Sequence, residues 1–312
     1  MTAADATIVC EQLTKRYGDL VALDEVSFDV PAGQLVAVLG PNGAGKTTTM
    51  ELLEGYQVPT RGSVRVLGTE PRRGGRAWRA RIGLVLQSTS LDDQLSVREL
   101  LTVFARLYPD PRPVPEVLEL VGLTDDADAR VGVLSGGQRR RVDVALGIIG
   151  RPELLFLDEP TTGLDPEARR RAWAGVEHLA STGTTVVLTT HYIEEADQLA
   201  DRVLVLSGGR IVADTTPEQL RARAGHTTVR YPLPDGVPVG ELPAALAGHL
   251  DPDRHALIVP SADVTATVGE LVGWAERHHL DLTGLEVAPP SLEDAYLAVT
   301  GHPRTEEPAH HG

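Results

Sequence analysis

The segment GPNGAGKT (40–47) restricts the fold of this chain more than any other feature of its sequence. It lies between the apolar run QLVAVL and the helix-like stretch TTTMELLEG, and it matches the pattern G-x-x-x-x-G-K-[ST]. Glycines let backbone N–H groups turn inward and wrap phosphates, and the following helix adds a favourable dipole. The pattern predicts a strand–loop–helix unit that binds a nucleoside phosphate. The expected binding residues are Gly40, Pro41, Asn42, Gly43, Ala44, Gly45, Lys46, Thr47 and Thr48.

Two side chains of this loop have predicted chemical roles. Lys46 is expected to reach the β- and γ-phosphates, and Thr47 is expected to ligate Mg²⁺. The expected cofactors are therefore ATP and Mg²⁺. The alternative is a glycine-rich turn with a chance Gly-Lys-Thr, which the other motifs of the chain make negligible.

The run ELLFLDEP (153–160) is an apolar strand that ends in two acids. The carboxyl end of a buried strand lies at the crevice where α/β sheets bind ligands, so Asp158 is expected to face Mg²⁺. Glu159 is expected to polarise the attacking water as a general base. Polar strand ends are common in surface loops, and a solvated acidic strand end is the alternative interpretation.

A second glycine-rich helix start occurs at LSGGQRRR (134–141). A serine and two glycines at the start of a helix leave N–H groups free to bind an anion, and the helix dipole adds to the attraction. A nucleotide already held by the first loop does not need a second such site from the same chain. A serine N-cap followed by a glycine-rich turn is the simpler use of these residues.

The ordered set of motifs resembles the ATPase subunits of ABC transporters over about two-thirds of the chain. In that family two ATP molecules lie between two ATPase domains, and each P-loop faces the LSGGQ of the other domain. The resemblance therefore implies a dimer and a separate multi-span permease. It also implies roles for further residues: Tyr17 stacks on adenine; Gln87 senses Mg²⁺, acts in catalysis and links to the permease; Ser135, Gly136, Gly137 and Gln138 form the signature; Asp165 belongs to the D-loop; and His191 contacts the γ-phosphate.

The motif order, and not the residue types, supports several of these assignments. Tyr17 taken alone is more typical of packing or surface positions, and His191 at a strand end is as consistent with a structural histidine. The arginine runs 138–142 and 168–172 are expected on exposed helix faces. The histidine pairs 278–279 and 310–311 lack a spaced set of acid or cysteine ligands, so solvated positions are favoured over a metal site.

The sequence predicts two domains and a tail. Near-continuous apolar strands alternate with helix-like stretches between about 7 and 215, which is typical of a mostly parallel sheet buried on both faces. The predicted class is α/β, a P-loop NTPase fold of ABC ATPase type with a helical signature subdomain (92–150) and a small C-terminal α+β domain. Strands are expected at 228–233, 255–260 and 282–287, and helices at 264–279 and 291–299. The predicted boundaries are 1–220, 221–302 and a disordered tail, 303–312.

Composition limits the partners and the location. The net charge is -15, so the chain is a poor candidate for nucleic-acid binding, and its overall charge does not attract anionic lipid. Cys10 is the only cysteine, which fits a reducing compartment. No apolar run approaches the ~18 residues that span a bilayer. The predicted location is the cytoplasmic face of the membrane, where a permease holds the chain.

The C-terminal segment SLEDAYLAVTG (291–301) resembles endings found in the drug-export branch of the family, which includes daunorubicin-resistance and nodulation-type ATPases. This resemblance implies export of a drug-like hydrophobic compound, or of a lipid-linked glycan. The alternative of another class is a soluble ABC ATPase of translation or DNA repair. A translation-type protein usually carries two ATPase domains, but this chain has one P-loop and one LSGGQ. A repair-type protein carries a long coiled coil between them, but no sustained heptads lie between 48 and 134. A regulatory module without turnover is disfavoured by the presence of Glu159 and His191.

Overall fold

The computed structural model describes residues 6–86, 91–223, 227–234, 237, 240, 242–251 and 255–300. The chain divides into two compact units, Met1–Pro217 and Glu218–Gly312. Gln87 and the predicted tail at 303–312 lie outside the described residues. In the described part of the chain, no helix is both long enough and apolar enough to cross a bilayer.

The larger unit contains nine strands and seven helices among its described residues. Its strands are β1 Ala6–Tyr17, β2 Leu20–Pro31, β3 Leu35–Leu39, β4 Arg61–Val66, β5 Ile82–Val85, β6 Leu154–Asp158, β7 Thr185–Thr190, β8 Arg202–Ser207 and β9 Arg210–Thr215. Its helices are α1 Lys46–Glu54, α2 Arg76–Arg79, α3 Val97–Ala105, α4 Val114–Leu120, α5 Gly136–Ile148, α6 Pro166–Ser181 and α7 Ile193–Leu199.

The central sheet has the order β5-β6-β7-β3-β8-β9, and only the pairing of β8 with β9 is antiparallel. All five residues of β3 are buried, as expected for a strand covered on both faces. The carboxyl ends of β6, β7 and β3 are therefore neighbours at one edge of the sheet. The segments that follow these three strands carry Asp158 and Glu159, His191, and the loop from Gly40. The strand order thus gathers motifs that are far apart in sequence.

A second, antiparallel sheet of order β2-β1-β4 packs against the same core, which includes Ile8, Leu13, Phe28 and Met50. The sequence did not predict this sheet. Its pairing has several register shifts, and Gln12 and Glu25 have positive φ angles of 47° and 52°. Bulges of this kind interrupt the period-two alternation in β1, whereas Val26, Phe28 and Val30 of β2 keep it and form a strand signal that the sequence analysis missed.

The helical segment predicted at 92–150 contains α3, α4 and α5, with loops between them. Two of these helices begin with reciprocal capping boxes. Ser96 and Glu99 cap α3, and Ser135 and Gln138 cap α5. In each box the serine oxygen accepts an N–H of the first turn while the longer side chain accepts the serine N–H, which fixes the start of the helix.

The smaller unit is an α+β domain. Its described elements are α8 Pro217–Arg223, β10 Thr227–Pro232, α9 Ala244–Ala247, β11 Leu250–Asp251, β12 Ala256–Ser261, α10 Val264–Arg277, β13 Glu286–Ala288 and α11 Leu292–Thr300. The sheet is antiparallel with the order β11-β12-β10-β13. Tyr231 and Trp274 are fully buried in its core, and the ring of His278 lies 5.6 Å from that of Trp274.

The strand predicted at 282–287 is wrong over most of its length. Asp281 accepts hydrogen bonds from the N–H and the hydroxyl of Thr283 at 3.0 and 2.7 Å, and Gly284 has a φ of 86°. These features form a turn, so β13 starts only at Glu286.

Candidate functional site

Lys46 is held inside the loop that precedes α1. Its Nζ donates hydrogen bonds to the carbonyl oxygens of Gly40 and Pro41 at 2.7 and 3.2 Å. Burial lowers the pKa of Lys46, while the nearby carboxylates of Glu159 and Asp158 oppose that shift. Because these two carboxylates act on Lys46, the loop that follows β3 lies near the end of β6. The ammonium is directed across the loop, where it can reach an anion held there.

Two glycines allow the loop to pass close to its neighbours. A Cβ on Gly40 would lie 2.6 Å from the carbonyl oxygen of Leu206, and one on Gly45 would lie 2.7 Å from that of Ala22. Gly45 also has a φ of 107°, which strongly disfavours other residues. No side chain caps the start of α1. Its first N–H groups therefore remain available to a bound phosphate.

Asp158 ends β6 with its carboxylate fixed by the next strand. The Thr189 hydroxyl donates a short hydrogen bond to Asp158 Oδ1. The N–H of Glu159 is bound by the Thr189 carbonyl oxygen at 3.0 Å and by its hydroxyl at 3.2 Å. Glu159 has a φ of 47°. A positive φ in a residue other than glycine is strained, and such strain is concentrated at functional sites.

The Glu159 side chain lies between two possible proton partners. His191 Nδ1 is 3.3 Å from Glu159 Oε1, and the Thr162 hydroxyl donates to Oε2 at 3.3 Å. The Glu159 side chain is 15% exposed and that of His191 is 41% exposed. The carboxylate is therefore largely enclosed, and the imidazole forms the solvent side of the pair.

Arg140 corrects the expectation that the run 138–142 lies on an exposed helix face. Arg140 is only 8% exposed. Its guanidinium donates to the main-chain oxygens of Asp158 and Glu159 at 2.7 and 3.0 Å and to that of Pro160 at 3.0 Å. It also donates a short bond to the carbonyl oxygen of Leu86. Arg140 therefore ties α5 to the acidic loop and to the residue that precedes Gln87.

The LSGGQ segment forms a separate helix start. Ser135 accepts a hydrogen bond from the Gln138 N–H at 3.2 Å, and Gln138 Oε1 accepts from the Ser135 N–H at 2.8 Å. A Cβ on Gly137 would lie 3.4 Å from Leu164. Among the described residues, no hydrogen bond or ion pair joins 135–138 to the loop at 40–48.

Asp165 and Tyr17 occupy defined positions near these segments. The Asp165 carboxylate caps α6 by accepting the N–H groups of Glu167 and Ala168 at 3.0 and 2.8 Å. Tyr17 ends β1, and its hydroxyl lies 3.5 Å from Glu51 Oε2 on α1. Tyr17 is 41% exposed, and the ammonium of Lys15 lies 4.8 Å from its ring centre. The ring therefore lies beside the helix that follows the glycine-rich loop.

Sequence reasoning missed Glu195, which is fully buried on α7. The indole N–H of Trp173 on α6 donates to Glu195 Oε1 at 3.1 Å, and burial raises the pKa of this carboxyl. The contact joins the helix capped by Asp165 to the helix that follows His191. An acid in the first turn of a helix is ordinarily exposed and stabilises the helix dipole. Nothing in the sequence therefore indicated that Glu195 is buried against Trp173.

A groove of about 900 Å³ borders the larger unit on the side of Leu86. Its apolar lining includes Leu84, Leu86, Leu100 and Phe104. Glu54, at the end of α1, also lines it, and burial together with the charges of Asp158 and Glu51 raises its pKa to about 8. The groove can accept an apolar segment with a hydrogen-bonding group.

Comparison with known sequences places these features in a family. The profile for ABC transporters matches residues 23–162, and that for the C-terminal domain of ABC transporter domain-containing proteins matches 227–291. A daunorubicin resistance ATP-binding protein of Streptomyces coeruleorubidus is 39% identical over 96% of this chain and 98% of its own length. A Nod factor export ATP-binding protein I of Ralstonia nicotianae is 39% identical over 93% of this chain and 92% of its own.

Solved structures support the fold. An ATP-binding subunit of an ABC transporter superposes with a TM-score of 0.64 at 27% identity, over 70% of this chain and 93% of that one. The dimeric structure of a bacterial ABC transporter cassette gives a TM-score of 0.61 at 26% identity, over 67% and 98%. The predicted P-loop NTPase fold with a helical subdomain is therefore confirmed.

Proposed function

Because this chain belongs to the ATP-binding proteins of ABC transporters and hydrolyses ATP, we propose that it drives the export of a drug-like hydrophobic compound through a separate permease. The observation that carries the proposal is the convergence of the glycine-rich loop, Asp158, Glu159 and His191 at the ends of adjacent strands. A cation, an acid and a histidine around one phosphate-binding loop are the groups that nucleotide hydrolysis uses.

The loop fits a triphosphate. Lys46 bears the charge, and the open start of α1 supplies N–H donors for the β- and γ-phosphates. Mg²⁺ ordinarily takes one or two carboxylates plus phosphate oxygens and water. The exposed Thr47 hydroxyl and the Asp158 carboxylate match that set, and when bound the ion neutralises phosphate charge. Changing Lys46→Ala should abolish most MgATP affinity in a fluorescence titration.

For hydrolysis we assign the general base to Glu159. Its largely enclosed carboxylate can accept a proton from water, and His191 can hold the γ-phosphate through its exposed side. Gln87 keeps its predicted role beside the metal. Thr189 holds both acids in position through its hydroxyl and carbonyl.

We assign the LSGGQ segment to the nucleotide of a second subunit. Ser135, Gly136, Gly137 and Gln138 form a helix start that is not bonded to the P-loop of their own chain. The similar bacterial cassette is described as a dimer. A homodimer would bring each helix start to the other chain's phosphates, with Asp165 nearby and Tyr17 on the adenine.

We place the permease contact in the groove beside Leu86. The apolar lining and the protonated carboxyl of Glu54 suit a short loop or helix of a membrane protein. Arg140 donates hydrogen bonds to the carbonyl oxygens of Leu86 and Glu159. A partner that displaces Leu86 would therefore also move the acidic loop through this one side chain. Attachment to such a partner would hold the chain at the cytoplasmic face of the membrane.

For the boundaries, we retain 1–220 as the ATPase domain and 221–302 as the accessory domain, since every motif named above precedes 221. Removing the chain from about 222 should leave a folded core that binds MgATP. A truncated chain that is folded by circular dichroism but does not bind nucleotide would overturn this division.

Similarity to the relatives named for daunorubicin resistance supports a daunorubicin-like compound as the cargo. A host strain without this chain should accumulate more daunorubicin than its parent, and wild type but not Lys46→Ala should restore the parental level. The equal identity to a Nod factor export protein makes a lipid-linked glycan the second candidate. Unchanged drug accumulation, together with intact ATPase activity in purified protein, would exclude the drug and leave the enzyme assignment standing.

A further inference from the structure

The segment from β4 to the start of β5 has a charge opposite to that of the whole chain. Between Arg61 and Arg81 the sequence contains seven arginines and one acid, Glu70, in a protein whose net charge is -15. The first two arginines lie on β4, and the others on or next to the 71–79 segment. A positively charged segment in an acidic chain indicates a surface that can attract an anionic partner.

Four of these arginines, Arg65, Arg72, Arg76 and Arg79, form what we call the basic ridge. All four are exposed, and none makes a side-chain hydrogen bond or ion pair with another residue that the structure describes. Arg65 and Arg72 line one surface groove, and Arg72 and Arg79 line the larger groove beside Leu86. The two grooves therefore meet at Arg72.

The backbone under the ridge is fixed. The indole N–H of Trp78 donates to the carbonyl oxygen of Val66 at 2.8 Å, and Trp78 is 7% exposed. A Cβ on Gly74 would lie 2.2 Å from the Trp78 ring, so only glycine permits this packing. With Trp78 buried, Arg76 and Arg79, three residues apart on α2, project together from the opposite side.

Nearby acids leave the ridge positive. Glu70 is paired with Arg73 at 3.0 Å. Burial raises the pKa of Glu54 to about 8, which keeps most of that carboxyl neutral near pH 7. Asp92 and Asp143 are then the other acids that line the larger groove, and Asp143 lies 3.8 Å from the guanidinium of Arg140. At physiological salt, charges beyond about 8 Å are screened, so acids on other faces of the chain do not cancel these arginines.

Exposed apolar side chains accompany the arginines. Tyr56 is 63% exposed and lines the same groove as Arg72 and Arg79, while Val58 is 40% exposed and lines the groove of Arg65. Arginine beside exposed tyrosine and aliphatic side chains is the composition of a surface that rests on lipid headgroups. A site for single-stranded nucleic acid would instead use several aromatic side chains, on which successive bases stack, along a longer basic path.

We propose that the basic ridge binds the anionic phosphate headgroups of a membrane surface directly, in addition to any contact with a permease. The inference rests on the proposed function only in placing the chain near a membrane. The proposal replaces the expectation that the net charge keeps the chain from anionic lipid, because the attraction depends on the charge of the surface that faces the membrane and not on that of the whole chain. Direct lipid contact would orient the grooves toward the bilayer.

The test uses the full-length purified protein and vesicles, without a permease. Co-sedimentation with vesicles of phosphatidylglycerol and phosphatidylcholine in equal parts should be strong at low salt and weaker at high salt. Vesicles of phosphatidylcholine alone should bind little. The triple change Arg72→Gln, Arg76→Gln and Arg79→Gln should weaken binding by about five-fold per arginine, or about a hundred-fold in total.

The matched control changes Arg106, Arg130 and Arg170 to Gln, which alters the net charge equally at exposed positions elsewhere. It should bind anionic vesicles as wild type does. Equal losses in both triple variants, equal binding to neutral vesicles, or tighter binding to a DNA duplex at the same salt would each overturn the proposal. Thermal melting of both variants checks that they fold. ATPase activity measured in the same samples tests the proposed enzyme separately.

Discussion

The Nδ1 atom of His191 lies 3.3 Å from the Oε1 atom of Glu159. The contact joins the segments that follow β7 and β6, which are adjacent strands of the central sheet. The carboxylate is largely enclosed and the imidazole is more exposed, so the pair has one side toward the protein and one toward solvent. Such a pair can accept a proton from water on the inside while holding an anion on the outside.

Changing Glu159→Gln should leave MgATP binding intact and slow hydrolysis by ~10²–10⁴-fold, the usual contribution of a general base. The substitution preserves size and removes the proton acceptor. Steady-state phosphate release and a nucleotide titration measure the two effects. Glu194→Gln, an exposed acid on α7, is the control and should retain turnover. If the Glu159 variant keeps turnover within a few-fold of wild type, the base lies elsewhere.

Changing His191→Ala should impair hydrolysis more than binding. In the proposed site the imidazole would contact the γ-phosphate most strongly when charge develops there, so its removal should lower kcat by about a hundred-fold with a smaller change in KM. Comparing kcat and KM for ATP separates the effects. A rise in KM at constant kcat would show that the histidine only binds ground-state nucleotide.

Changing Arg140→Met should lower both stability and turnover. The guanidinium donates to three successive carbonyl oxygens, of Asp158, Glu159 and Pro160, and removing it takes a charged donor from each of them, at a cost of about 2–3 kcal/mol. A shift of ~1 Å in the acidic loop can reduce kcat by a hundred-fold. Denaturant unfolding and kcat measure the two losses. Arg170→Met on exposed α6 should change neither, and a matching loss there would remove the assignment.

Arg140 also shows where sequence reasoning stopped. The motifs with fixed order and spacing predicted the strand–loop–helix at 40–47, the acidic strand end and the capped start of α5, because local chemistry determines each of them. Arg140 differs from its neighbours Arg139 and Arg141 only in the side of α5 on which it lies. Which side is buried depends on the loop from β6, which is close in space and distant in sequence.

The antiparallel sheet of β1, β2 and β4 was missed for a related reason. Bulges near Gln12 and Glu25 interrupt the alternation in β1 and in the first half of β2, so that it survives in β2 only from Val26 to Val30. The false strand at 282–285 arose from the opposite error, because apolar residues there flank an Asp281–Thr283 turn. In each case a local backbone conformation overrides the periodicity.

The pH dependence of stability should reveal Glu54. Its pKa in the folded protein is about 8, above the ordinary value of 4.5, so the folded state binds a proton that the unfolded state releases. The contribution of this proton to the free energy of unfolding is complete below about pH 4.5 and is lost as pH rises through about 8. Glu54→Gln should remove it, flattening the slope by up to about 1.4 kcal/mol per pH unit in that window. Urea unfolding of nucleotide-free protein at several pH values measures the slope.

Glu119→Gln, an exposed acid on α4, serves as the control for Glu54 and should keep the wild-type slope. Parallel curves for wild type and Glu54→Gln between pH 5 and 8 would show that the carboxyl of Glu54 is not held neutral. The groove beside Leu86 would then present a charge, and its proposed apolar partner would have to supply a cation.

Two inactive variants should rescue each other if the P-loop and the LSGGQ segment act across a dimer. Lys46→Ala damages one surface and Ser135→Arg the other, and each alone leaves both sites of a homodimer damaged. In a mixed dimer one site receives both defects, while the second pairs an intact Lys46 with an intact Ser135. Among the described residues no hydrogen bond or ion pair joins 40–48 to 135–138, which is compatible with this arrangement.

The measurement is ATPase activity of the two variants co-expressed, compared with each alone, at a protein concentration where dimers form. Random mixing makes half of the dimers mixed, each with one intact site, so activity should reach about a quarter of wild type if sites fire independently. Mixing Lys46→Ala with Glu159→Gln is the control, because both changes damage the P-loop side and should leave no intact pair. Full-rate hydrolysis by a monomer, shown by mass under turnover, would refute the shared site, since a lone chain would then complete both anion sites by itself.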